Sequence, residues 1–259
     1  MITTDDGAQI HAEVSGSETL PTVMFSNSLA CSLAMWDDQM PAFADRYRII
    51  RYDDRGHGKS SVPKGPYTID RLGRDVLAVL DGLGIETVNW VGLSKGGMLG
   101  MWLGVHAPER LEKLVLADTA PFMGPASMWQ ERAAIAREKG MAALAEGTLQ
   151  RWFTPGFHAS HPERIERVRN LILTTDPEGF AGSCEAIRDM DQRADIARIP
   201  VPTLVVVGSD DGGTTPAIAR DIAAAIPGAK LAELADASHL SNIEQAEAFN
   251  AAVLAFLAA

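Results

Sequence analysis

Short apolar runs alternate with helically spaced apolar positions along much of the chain. Residues 22–25 and 48–51 read as short strands. Within 69–83, Leu72, Val76, Leu77, Val79, Leu80 and Leu83 recur at helical spacing. Gly84 then ends the pattern, as a glycine beyond a helix C-terminus does. Residues 88–92 read as a buried strand, 95–106 as a helix stopping before Pro108, and 111–116 as the next strand. Strands alternating with helices predict a mostly parallel sheet covered on both faces.

The pattern changes over 121–198, where no strand stands out. Residues 128–146 and 162–174 read as helices, broken by Thr154-Pro155-Gly156 and Asp176-Pro177. Strand character returns at 203–207 and 230–234, with helices at 216–226 and 243–257. The expected organisation is an α/β core from 1–120 and 199–259, interrupted by a helical cap or lid at 121–198. No internal repeat or low-complexity segment is present.

Composition narrows the function. The 259 residues carry a formal net charge of -11, from 23 Lys and Arg against 34 Asp and Glu. Such a chain is poorly suited to nucleic acid or an anionic membrane surface, and an anionic substrate would need locally placed cations. Cys31 and Cys184 make no disulfide framework and fit a reducing compartment. With no secretory pattern at the N-terminus and no long apolar run, a cytoplasmic location is expected. No His/Cys/Asp cluster has metal-ligand spacing, and no cofactor is expected.

The candidate chemistry centres on Gly92-Leu93-Ser94-Lys95-Gly96, a G-x-S-x-G turn between a strand and a helix. The glycines permit so sharp a turn, and the helix N-terminus favours negative charge near the serine. A serine nucleophile needs a base, and the base needs a third group to fix its tautomer. His239 follows the 230–234 strand in a loop, where sites form in parallel sheets. Asp210 and Asp211 follow the 203–207 strand, and both are candidates for the acid; Asp211 has the Gly-x-x-Asp spacing from Gly208. Asp118 is a weaker candidate and reads as shaping its own loop. His57 reads as part of a structured loop, His106 as a helix-end cation, and His11, His158 and His161 as surface or lid residues.

Several segments together resemble the 3-oxoadipate enol-lactonase family of α/β-hydrolases. They are Asn27-Ser28-Leu29 with Met35-Trp36, 52–60, 65–68, 75–81, 92–98, Thr119-Ala120, 129–132 and 151–155. The resemblance implies an α/β-hydrolase fold with a helical lid inserted after the sixth strand. It implies a small-molecule lactone or ester as substrate, and it places the oxyanion donors at the backbone N–H groups of Leu29 and Lys95. Trp129, Arg132 and Trp152 fall in the lid. Arg132 either receives a substrate carboxylate bidentately or is a solvated helix residue, and the tryptophans read mainly as packing residues.

Two positions depart from the family pattern. Lys95 stands where Met or another neutral residue is usual. Its charge either binds a substrate carboxylate, perturbs His239, or points away to pair with an acid. Ala30-Cys31 stands for Gly-Thr, a change expected to narrow the pocket beside the oxyanion loop. The expected reaction is enol-lactone opening through an acyl-enzyme on Ser94. A broad carboxylesterase with perhydrolase side activity would use the same residues. A C–C bond hydrolase and a non-catalytic binding module on this scaffold are further alternatives. The oligomeric state, homo-oligomer included, is not encoded in any of these features.

Overall fold

A computed structural model describes residues 1–259. The chain opens with β1 (Ile2–Thr3), β2 (Gln9–Ile10) and β3 (Ala12–Ser15). It continues through β4 (Thr22–Ser26), α1 (Met40–Phe43), β5 (Arg48–Tyr52), α2 (Ile69–Gly82), β6 (Val88–Leu93), α3 (Lys95–His106) and β7 (Leu111–Ala117). Five helices follow: α4 (Ala126–Lys139), α5 (Ala142–Trp152), α6 (Pro155–Ser160), α7 (Pro162–Thr174) and α8 (Pro177–Asp189). The chain then returns to the sheet with β8 (Thr203–Gly208), α9 (Pro216–Ala225), β9 (Lys230–Leu234), α10 (Ser241–Glu244) and α11 (Ala246–Ala258).

The sheet order is β3-β5-β4-β6-β7-β8-β9, with only the β3–β5 pair antiparallel. β1 and β2 pair in a separate two-stranded sheet, so the helical insertion leaves the seven-stranded sheet after its fifth strand in chain order, β7, rather than after a sixth. β6 is buried at every position, the signature of a central parallel strand covered on both faces. α3 packs against β4, β6 and β7, and α2 packs on α3. The hydroxyl of Thr68 caps α2 by accepting the Arg71 N–H at 3.0 Å. Val91, Leu114 and Val205 of the sheet share one continuous apolar core with Trp129, Phe153 and Phe180 of the insertion.

Three further expectations need correction. The 128–146 stretch is two helices, because Gly140 turns the chain at φ 74° between α4 and α5. The final 243–257 stretch is likewise split, with Gln245 at φ -122° and ψ 54° between α10 and α11. Helix α8 was not anticipated, although Asp176 and Pro177 carry its start signal. The Asp176 carboxylate accepts the N–H groups of Glu178 at 2.8 Å and Gly179 at 3.3 Å. No helix is long and apolar enough to cross a membrane.

Candidate active site

The chain leaves β6 and enters α3 through Ser94, whose φ of 56° and ψ of -112° belong to the first central position of a type II′ turn, where glycine is usual and a serine is strained. Close packing around it explains the flanking glycines. A Cβ on Gly92 would lie 2.1 Å from the Gly96 carbonyl oxygen, and one on Gly96 would lie 2.2 Å from that of Ser26. The buried Trp90 indole donates to the Gly96 carbonyl at 3.1 Å. The Ser94 backbone is held from two sides: its N–H donates to Ala117 O at 2.8 Å, and its carbonyl accepts the Thr119 hydroxyl at 2.7 Å.

His239 lies in the loop between β9 and α10, and its Nδ1 is 2.8 Å from Asp211 Oδ2. Asp211, in the loop after β8, is buried and heavily solvated by the protein. Its Oδ1 accepts the N–H groups of Gly213 and Thr214 at 2.8 and 2.9 Å, and its Oδ2 accepts the Thr214 hydroxyl at 2.6 Å. Burial raises the Asp211 pKa, but the His239 charge and these hydrogen bonds outweigh it and hold the carboxyl well below its usual range. Burial conversely lowers His239, and the Asp211 charge prevails to leave it above its ordinary value.

Ser94 and His239 both line a cavity of about 500 Å³, without a direct hydrogen bond between them. Leu29, Trp129, Arg132 and Trp152 line it as well. The N–H groups of Leu29 and Lys95 donate to no other group of the protein. Trp152 stacks over His239 with ring centroids 6.1 Å apart, and the Trp129 indole donates to Met123 O at 2.8 Å.

Arg132 is not a solvated helix residue. Its guanidinium lies 5.1 Å from the Trp129 ring centroid and 5.6 Å from that of Phe180. It has no carboxylate partner, its Nε is buried without a hydrogen bond, and burial lowers its pKa. An unpaired cation on a cavity wall is costly unless a ligand compensates it.

Lys95 takes the third of its three readings. Its side chain is fully buried, does not line the cavity, and places Nζ 3.4 Å from Asp54 Oδ2. Ala30 and Cys31 are also buried and line none of the cavity, so they do not narrow it. Ala30 instead adopts φ 60°, which accounts for the glycine of the family pattern there.

Asp210 borders the cavity, but its carboxylate accepts only the Ser209 hydroxyl. Asp118 is buried and receives the Gly208 N–H at 2.8 Å and the Ser241 hydroxyl. Burial and the nearby Asp211 charge push its pKa up to about 8, and its two hydrogen bonds tie the end of β7 to the end of β8 and the start of α10. His57 is buried in its loop, its Nε2 accepting the Ala30 N–H at 3.2 Å. The sequence reading missed Thr214, whose hydroxyl also lies 3.2 Å from His239 Nδ1. It also missed Glu244, which joins the His239 loop to the insertion.

The sheet order, the serine turn and the His239–Asp211 pair define a class of protein. The chain belongs to the α/β-hydrolase fold family, whose model matches residues 21–246. Among curated proteins it is 44% identical to 3-oxoadipate enol-lactonase 2 of Acinetobacter baylyi, over 93% of this chain and 90% of that one. Among solved structures, an enol-lactonase from Burkholderia xenovorans aligns with TM-score 0.95 and 43% identity, covering 97% of each chain. A hydrolase from Pseudomonas aeruginosa aligns with TM-score 0.96 and 46% identity, covering all of this chain and 97% of that one.

Proposed function

We infer that the protein hydrolyses 3-oxoadipate enol-lactone with Ser94, His239 and Asp211 as its catalytic triad. The observation that carries this reading is one cavity lined by the Ser94 turn, the Asp211-held His239 and the unpaired Arg132. Its support in kind is the similarity to enol-lactonases over nearly the whole chain.

Ser94 attacks the lactone carbonyl while His239 takes its proton. Asp211 fixes the imidazole tautomer and stabilises its charged form. The Leu29 and Lys95 N–H groups receive the oxyanion, each worth roughly 2.7–4 kcal/mol in such sites. Collapse of the tetrahedral intermediate breaks the ring C–O bond. His239 returns the proton, and the released enol tautomerises to a ketone. Both halves of the ring stay joined on Ser94 until water, activated by His239, deacylates it. Residues 121–198 act as a cap whose Arg132 holds the substrate carboxylate beneath Trp129, and whose Trp152 keeps water from the His239 ring.

The deciding experiment compares steady-state kinetics on the enol-lactone, a saturated lactone and simple aryl esters. The enol-lactone should lead in kcat/KM by at least about tenfold, a difference of roughly 1.4 kcal/mol at the transition state. A clear preference for neutral esters would overturn the substrate assignment while leaving the nucleophile in place.

A further inference from the structure

A buried polar chain lies behind the oxyanion site, on the side away from the cavity. Lys95 begins α3 directly after the nucleophile, and its side chain runs inward to Asp54, in the loop after β5. Asp54 Oδ2 also accepts Asn27 Nδ2 at 3.4 Å. Asn27 opens the loop that carries Leu29. Its Nδ2 donates to Tyr52 O at 2.7 Å, its Oδ1 accepts the Trp36 indole at 3.0 Å, and its backbone carbonyl accepts the Gly96 N–H at 3.0 Å. The path from Lys95 through Asp54 and Asn27 therefore returns to the first turn of α3. It joins the two backbone segments whose N–H groups face no partner in the protein.

We propose that Lys95 is a positioning residue for the oxyanion hole, its ammonium drawing Asp54, and through it Asn27, so that the Leu29 and Lys95 N–H groups converge on one point. This rests on the serine-hydrolase reading of the site, though not on the identity of the substrate.

Three observations favour positioning over substrate binding. The ammonium is fully buried and outside the cavity, so it touches no ligand there. Asp54 is the carboxylate paired with it, and burial raises the Asp54 pKa even against that cation. Without the cation, Asp54 would be a buried acid with every reason to become neutral and release Asn27. The third is local: His57, whose Nε2 accepts the Ala30 N–H, is kept neutral by burial together with the Lys95 charge. A protonated His57 would confront that N–H with another donor and loosen the same loop. Lys95 thus acts on the Leu29 segment from two neighbouring anchors.

The test is Lys95→Met, alone and combined with Asp54→Asn, assayed on neutral p-nitrophenyl acetate and on the anionic enol-lactone. Met is the residue usual at this position in the family pattern, so the fold accommodates it. Misplacement of oxyanion donors by a fraction of an ångström should lower kcat about 10- to 100-fold on both substrates, with KM nearly unchanged. Affinity for a neutral trifluoromethyl ketone, which builds the oxyanion on Ser94, should fall by the same factor. Asp54→Asn alone should reproduce the loss, and the double variant should be no worse than the poorer single one. An unchanged kcat on the ester, a KM effect confined to the anionic lactone, or additive losses in the double variant would each refute the proposal. If the enol-lactone proves not to be a substrate, the ester and ketone measurements decide the Lys95 question alone.

Discussion

His239 is subject to two opposed influences, and their balance sets the pH behaviour of the site. Burial favours the neutral ring, while the Asp211 charge and hydrogen bond favour the charged one, leaving the pKa above 6.5. A general base works only when neutral, so kcat/KM should fall on the acid side with a midpoint above that value. Stability runs the other way. The raised His239 pKa adds stability below its unfolded value of 6.5, lost as pH rises through the folded value. The depressed Asp211 pKa adds stability above 3.8, lost as pH falls toward its folded value. The pair therefore stabilises the fold most between 3.8 and 6.5, where the base is least available. Asp211→Asn should move the acid limb to lower pH, because burial of His239 is then opposed only by the more weakly acting Asp118. It should also cut kcat by about three to four orders of magnitude through loss of the correct tautomer. A pH–rate profile with an unmoved acid limb would remove Asp211 from this role. Ser94, His239 and Asp211 stood out as candidates because strand, turn and chain order constrain them, and the Gly208-x-x-Asp211 spacing favoured the aspartate that lies against His239. The destination of Lys95 was not legible. It depends on Asp54, some forty positions earlier, and on a cavity whose walls come from both parts of the chain.

The helical insertion is moored at the histidine loop. Glu244, buried at the end of α10, accepts the Ser238 N–H at 2.8 Å through Oε2, and the Thr154 N–H at 3.0 Å and hydroxyl through Oε1. The Ser238 hydroxyl donates to Arg151 O at 3.1 Å, and the Leu240 N–H donates to Trp152 O at 3.1 Å. The end of α5 and the loop bearing His239 are thus tied together by hydrogen bonds from both sides. Glu244→Gln turns an acceptor into a donor against an N–H already in place. That should cost about 1–3 kcal/mol, lowering Tm by roughly 2–4 °C per kcal/mol for a chain of this size. kcat should fall as His239 loses its register. Calorimetry returning a Tm within about 1 °C of the parent would show the latch to be dispensable. No local signal announces such a contact, since Glu244 and Thr154 lie on different sides of the β8–β9 segment. The central elements were readable for the opposite reason: 88–93, 114–117 and 203–208 are mainly apolar and buried throughout, a pattern that a doubly covered sheet uses. β1, β2 and β3 escaped notice because two to four residues cannot display a period. The α4–α5 and α10–α11 breaks escaped because apolar spacing carries on through Gly140 and Gln245.

At the scale of the molecule, the charge of -11 opposes an anionic substrate during approach, while the site offers it a cation. The two effects differ in reach. Repulsion by the acidic surface acts through solvent and is screened over about 10 Å at 0.1 M salt. Arg132 acts at contact range from a largely buried wall, where mobile ions penetrate little. Added salt should therefore weaken the repulsion more than the capture. kcat/KM for the anionic enol-lactone should rise by about two- to fivefold between roughly 10 and 200 mM sodium chloride, carried mainly by KM. A neutral aryl ester should show no such slope, since neither the acidic surface nor Arg132 exerts a net force on it. The opposite result, kcat/KM for the lactone falling with salt, would mean that a cation acting through solvent, rather than one buried in the cavity wall, gathers the substrate. In that case the acidic surface would have to be interrupted by a basic approach to the cavity, and the role given to Arg132 would pass to residues nearer its mouth.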